Sequence, residues 1–112
     1  MCLRNLFYWV VTTFTSMVFV FAGTSKLLSA KHQVDSFADW NYSPTLMYTV
    51  GLLELLGGLA LAFPKLRPVG VFVLYLMSGA AFGTHLSANE WGMSLFALFM
   101  SACVYITDCD RD

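Results

Sequence analysis

An all-α protein, built as an antiparallel bundle of four transmembrane helices, is what this chain predicts, and three observations predict it. Of its 112 residues, 58% are hydrophobic and only 12% charged. A water-soluble domain carries about 25% charged residues and 45–50% apolar ones. The mean hydropathy of +0.68 points the same way. The six basic and seven acidic residues also leave long charge-free runs: Asn5 to Ser25, Pro68 to Asn89 and Trp91 to Thr107. A fourth apolar stretch, Thr45 to Phe63, is interrupted only by Glu54. About 17–25 residues cross a bilayer core, so four spans use up most of the chain. A disordered chain and a multidomain protein are excluded, and a net charge of −1 excludes a nucleic-acid binder.

Each element follows in order within a single domain, 1–112. The first helix runs from about residue 5 to 28. It is too long for a signal-peptide core and ends in Lys26, which favours an uncleaved span. The connection from Ser29 to Tyr42 places Val34, Phe37 and Trp40 on one helical face and His32, Asp35 and Asp39 opposite. That pattern describes a short amphipathic segment in the interface, with Trp40 and Tyr42 at headgroup level. Ser43-Pro44 reads as an N-cap followed by proline at the first helical position, opening a helix over 45–63. Pro64 and Pro68 bracket a short link to a helix over 68–86, and Ser87–Glu90 links that to a last helix over 91–107. Arg4, Lys65, Arg67 and Arg111 fall on the side of the N-terminus, against Lys26 and Lys31 on the other. The positive-inside rule then puts a multi-pass protein in the cytoplasmic membrane with both termini in the cytoplasm.

The polar residues inside this apolar frame carry whatever chemistry there is. Glu54 lies at bilayer depth, where an ionised side chain costs about 2.5–3.5 kcal/mol and normally faces the protein interior or a polar cavity. It is either paired with a cation or held protonated. Lys26 closes the first helix, and Glu54 lies roughly 15 Å along the helix that starts at Pro44, so a direct or a water-bridged pair is open. His85, in Gly83–Leu86, ends the third span on the same side. Lys26, Glu54 and His85 together form either a polar ligand pocket opening outward or, for the first two, an ion pair that sets helix register. His32, Asp35, Asp39, His85 and Glu90 share that side too, but acids and histidines on an amphipathic helix are ordinarily its solvated face, and no metal is expected. Cys2, Cys103 and Cys109 contain no C-x-x-C, which argues against a thioredoxin-like or vitamin-K-reductase-like dithiol site, and reduced, structural thiols are expected. The small-residue steps Gly79/Gly83, Gly58/Ala62 and Ala97/Ser101 are expected to pack helix on helix within the bundle, a dimer face being the alternative.

The stretches FAGTSKLL (Phe21–Leu28) and GLLELLGGL (Gly51–Leu59), with Phe37 and Pro44 between them and GAAFGTH (Gly79–His85) after, resemble the DoxX and DoxX-like family. The likeness covers nearly the whole chain, and Lys26, Glu54 and His85 fall on polar positions of its pattern. It implies a small four-helix membrane protein. Members include a subunit associated with thiosulfate:quinone oxidoreduction, others linked to membrane redox homeostasis, and a eukaryotic branch assisting receptor assembly. Two functions are therefore expected. One is an accessory component of a quinone-linked redox system that holds a quinone-like molecule and serves an oxidoreductase partner, with no resident cofactor. The other is an assembly or structural factor, alone or as a homodimer. Whether either involves turnover stays open. A small proton-coupled transporter fits the length, but that class keeps its glutamate in the first helix, which here has no carboxylate.

Overall fold

The computed structural model describes residues 2–63 and 65–109, and the side chains of residues 6–63 and 65–106. These residues are helical with short connections: α1 (Cys2–Leu27), α2 (Lys31–Asp39), α3 (Pro44–Ala60), α4 (Arg67–Ser87) and α5 (Trp91–Cys109). The Ser43 hydroxyl accepts from the Leu46 amide at 3.2 Å and Pro44 occupies the first turn, so α3 starts as its sequence directs. It stops at Ala60 rather than at Phe63. The amides of Leu61, Ala62 and Phe63 turn back to carbonyls three residues earlier, which tightens the last turn and ends the α-helix. Pro64, expected to close this helix, lies outside the described residues, as do the side chains of Arg4, Cys2, Cys109 and Arg111.

The four long helices form a ring in which α1 packs on α3, α3 on α4, α4 on α5 and α5 back on α1. Short links between α3 and α4 and between α4 and α5 make each of these pairs antiparallel. The amphipathic segment is α2, which lies across α1 and α3 at one end of the ring. We call this the α2 end and the opposite one the link end, after the α3–α4 connection. Helices α1, over Leu6–Leu27, and α4 are long and apolar enough to cross a membrane. Helices α3 and α5, over Trp91–Ile106, are apolar but shorter.

Around a core that includes Phe19, Leu61, Leu74 and Val104, the bundle also exposes large apolar side chains and buries several polar ones. Phe21, Met17, Leu95 and Phe72 stand on the outside, each at least 65% exposed. Thr12, Thr15, Lys26, Glu54, Arg67, Ser78 and Ser94 are buried. Water-soluble monomers rarely expose apolar surface on this scale, whereas lipid tolerates it and drives polar groups inward.

Of the small-residue steps, Gly58 packs helix on helix as expected, together with glycines that the steps do not include, whereas Gly79 and Gly83 do not. At Gly23 a Cβ would stand 2.5 Å from the Gly51 carbonyl oxygen, and at Gly58 one would stand 3.0 Å from the Ser16 oxygen, so α1 and α3 touch backbone to backbone. Ser16 adds a hydrogen bond from its hydroxyl to the Gly58 carbonyl at 2.7 Å. Gly57 and Gly70 serve the α3–α4 contact in the same way. Around Gly79 and Gly83, in contrast, there is nothing within 4 Å. Spacing reveals a small-residue stripe but not the direction in which it faces.

Candidate functional site

Met47, Gly51, Glu54 and Gly58 recur at intervals of four and three, and all four are buried on the α3 face that meets α1. Gly23 and Lys26, three residues apart, lie on the α1 face opposite. The missing side chain at Gly51 makes room for the Lys26 stem: a Cβ there would come within 2.7 Å of Lys26 Cβ. The stem passes over Gly51 and the ammonium reaches Glu54, one turn further along α3. Lys26 Nζ lies 2.9 Å from Glu54 Oε1, and both side chains are about nine-tenths buried. The approach is off the axis of a well-formed hydrogen bond, so attraction of charge rather than donor geometry defines the contact.

His85 belongs to a different group. Helix α4 ends in a Schellman turn, with Asn89 left-handed at φ 61° and the Glu90 amide bonded to the His85 carbonyl at 2.8 Å. This turn folds the Glu90 side chain back onto its own helix end. His85 Nδ1 donates to Glu90 Oε1 at 2.6 Å, and Trp40 Nε1 donates to the same oxygen at 3.3 Å. The Trp40 and His85 rings meet edge to face at 5.1 Å. Phe37, buried at the α2 C-terminus, packs on Trp40, and Tyr42 packs on both. The Tyr42 hydroxyl lies 3.0 Å from the Thr84 hydroxyl. A second Schellman turn at Asn41, φ 62°, sets this aromatic group on the end of α2.

Beside the cluster is a cleft of about 230 Å³ lined by Asp39, Trp40, Tyr42, Thr84, Ser87 and Ala88. With Nδ1 held by a carboxylate, Nε2 is the hydrogen-bonding atom the imidazole has left, an arrangement that fixes ring orientation and tautomer. Of the three sequence-selected residues, Lys26 and Glu54 are brought together. His85 is joined instead to Glu90, Trp40 and, through the aromatic group, Tyr42. Sequence reasoning placed Trp40 and Tyr42 as interfacial anchors, and Glu90 as a link residue on the same side as His85, without joining them to it. The signal for the cluster was the asparagine at position 89, a residue that tolerates the left-handed turn returning a side chain to its helix. No group of acids, histidines or cysteines suited to a metal ion occurs among the described residues.

Arg67, counted along the chain only as a basic residue on the side of the N-terminus, is buried. It is 5% exposed, donates from Nε to the Leu61 carbonyl at 2.8 Å and from Nη1 to the Tyr8 hydroxyl at 3.1 Å, and lies 5.3 Å over the Trp9 ring. Its carbonyl acceptor is one of those a helix C-terminus leaves without a partner, so the guanidinium closes the end of α3.

A helical bundle with an apolar exterior and a buried ion pair defines a class, that of small integral membrane proteins. The chain belongs to the DoxX-like family, which matches residues 10–107. Comparison with curated proteins and with solved structures gives no match.

Proposed function

We propose that this protein is a four-span accessory component of a quinone-linked membrane redox system, holding the polar head of a quinone-type molecule at His85. In this reading α3 and α5 also cross the bilayer, their modest length met by local thinning or by flanking polar side chains. Helix α2 lies in the interface, and both termini are cytoplasmic. The cleft near His85 carries the proposal, because its Trp40 wall packs against an imidazole whose Nδ1 is already satisfied. A neutral imidazole accepts from a quinol hydroxyl through Nε2, and an imidazolium donates to a quinone carbonyl. Lys26 and Glu54 form the polar framework beneath the site, and an oxidoreductase partner supplies and removes electrons.

The test uses the protein in lipid nanodiscs with Trp9 and Trp91 replaced by phenylalanine, so that Trp40 reports alone. Titration with a decyl-benzoquinone should quench Trp40 saturably, and His85→Ala should remove the saturable part. Linear quenching that is identical in both proteins overturns the quinone site. A second reading, an assembly factor without a ligand, is favoured by the closed Lys26–Glu54 pair, which leaves neither charge available to a small molecule. It gains if quenching is linear while Glu54→Gln prevents stable insertion of the bundle.

A further inference from the structure

The link end holds a second cleft, of about 240 Å³, between α1 and the end of α3, with Trp9, Thr12, Thr13, Ser16, Leu61 and Ala62 among its walls. Two groups there are left with polar atoms unpartnered among the described residues. The first is Thr12. Hydroxyls on these helices usually bond the carbonyl four residues back, as Thr15, Thr49, Ser94 and Ser101 do. The Thr12 hydroxyl is buried and has no hydrogen-bond partner among the described residues, although Thr12 forms part of the cleft wall. The second is Arg67. Its Nη2 is buried without a hydrogen-bond partner, and no carboxylate pairs with the guanidinium among the described residues. The ring beneath that guanidinium is Trp9, also a wall of the cleft. Lys65 adds an exposed positive charge two residues away.

A buried charge with no counter-charge among the described residues and a hydroxyl with no acceptor among them are both costly in apolar surroundings, and one molecule answers both. We infer that this cleft binds an anionic phospholipid, with an acyl chain along the Leu61–Ala62 wall, an ester carbonyl accepting from Thr12, and the phosphate held by Arg67 and Lys65. The chemistry selects the occupant. The cleft wall is largely apolar with the hydroxyl-bearing residues Thr12, Thr13 and Ser16 in it, and the Arg67 guanidinium stacks on its half-exposed Trp9 wall. Basic pockets between helices at a membrane face bind acidic headgroups by this combination of charges.

Native mass spectrometry of the full chain, extracted from vesicles of equal phosphatidylglycerol and phosphatidylcholine with matched acyl chains, tests the inference. The wild type should retain the glycerol lipid about tenfold over the choline lipid, the discrimination that one or two basic groups supply at a membrane surface. Ala62→Phe, which fills the cleft from an exposed position, should abolish retention without unfolding the bundle. Thr12→Val should raise thermal stability in lipid-free detergent, where the hydroxyl is unpaired, and lose the further rise that added phosphatidylglycerol gives the wild type. Equal retention of both lipids by the wild type overturns the inference, as does undiminished retention by Ala62→Phe. Retention that survives in Ala62→Phe only for the choline lipid does so as well.

Discussion

Lys26 Nζ meets Glu54 Oε1 at 2.9 Å across the α1–α3 contact, at a point where the helices approach so closely that the lysine stem occupies the place of a Gly51 side chain. The pair and the glycine crossing are one construction. The close approach of Gly23 and Gly51 buries the charges. Removing one partner leaves the other buried and uncompensated. Glu54→Gln is expected to destabilise the protein by about 3 kcal/mol, whereas the double substitution of Lys26 and Glu54 by methionine recovers most of that loss, because a buried pair replaced by apolar side chains is close to neutral. Thermal unfolding of the two singles and the double in detergent measures the coupling. A silent Glu54→Gln would remove the pair from any account of stability.

The glycines separate into two groups by the same measurement. Gly23→Ala forces a methyl into the α3 backbone and should cost about 1–3 kcal/mol by overpacking. Gly79→Ala and Gly83→Ala meet open space and should be neutral or stabilising by up to about 1 kcal/mol, the helix-propensity gain of alanine. Destabilisation at Gly83 would show that its face is covered.

Arg67→Lys keeps the charge at the link end but loses the fork that reaches Leu61 and Tyr8 together. A loss of about 2 kcal/mol is expected, since hydrogen bonds to charged groups contribute about 1.5–3 kcal/mol, while Tyr8→Phe should cost nearer 1 kcal/mol. Equal stability of Arg67→Lys and wild type in denaturant titrations would mean that the α3 terminus finds other donors.

Asn89 governs the His85 cluster without touching it. Asn89→Gly should leave the cluster intact, because glycine adopts the left-handed turn freely. Asn89→Val should cost about 1–2 kcal/mol. It should also shift Trp40 fluorescence to the red as Glu90 lets go of the indole. An unchanged Trp40 spectrum in Asn89→Val would show that the turn does not hold the cluster.

On α2, Lys31 Nζ donates to Asp35 at 2.7 Å on the exposed face. The hydrogen bond and the charge of Asp35 raise the lysine pKa above its ordinary value. The pair's contribution is therefore complete below the ordinary lysine range and lost as pH rises through the raised value. Helicity of α2 should be flat through neutral pH and fall only in strong alkali, and Lys31→Ala should flatten that fall. A change near pH 7, followed by NMR of the α2 amides, would contradict this assignment.

Much of this was legible along the chain. The charge-free runs mark the helices, Ser43-Pro44 marks the start of α3, and Glu54 stands out as a carboxylate with no loop to account for it. The partner of Glu54 was within reach as well, since Lys26 was the cation at the correct end. His85 was assigned to the same pocket because it lies on the same side, but membership of one side does not decide which neighbours a ring meets. Glu90 and Trp40 reach it through two left-handed turns, at Asn89 and Asn41, where no glycine advertises the bend.

The sequence by itself determined the solvent, the number of apolar segments and the rank order of their polar residues. These depend on composition along a line, because the cost of placing charge in an apolar medium acts residue by residue. Tertiary structure alone decided which glycines are contacts and which are bare, that Arg67 closes a helix instead of facing water, and that His85 stands with Glu90 rather than with Glu54. Each of these depends on how the helices rotate and cross. Rotation is set by the simultaneous packing of several faces, and no single stretch of the chain contains that information.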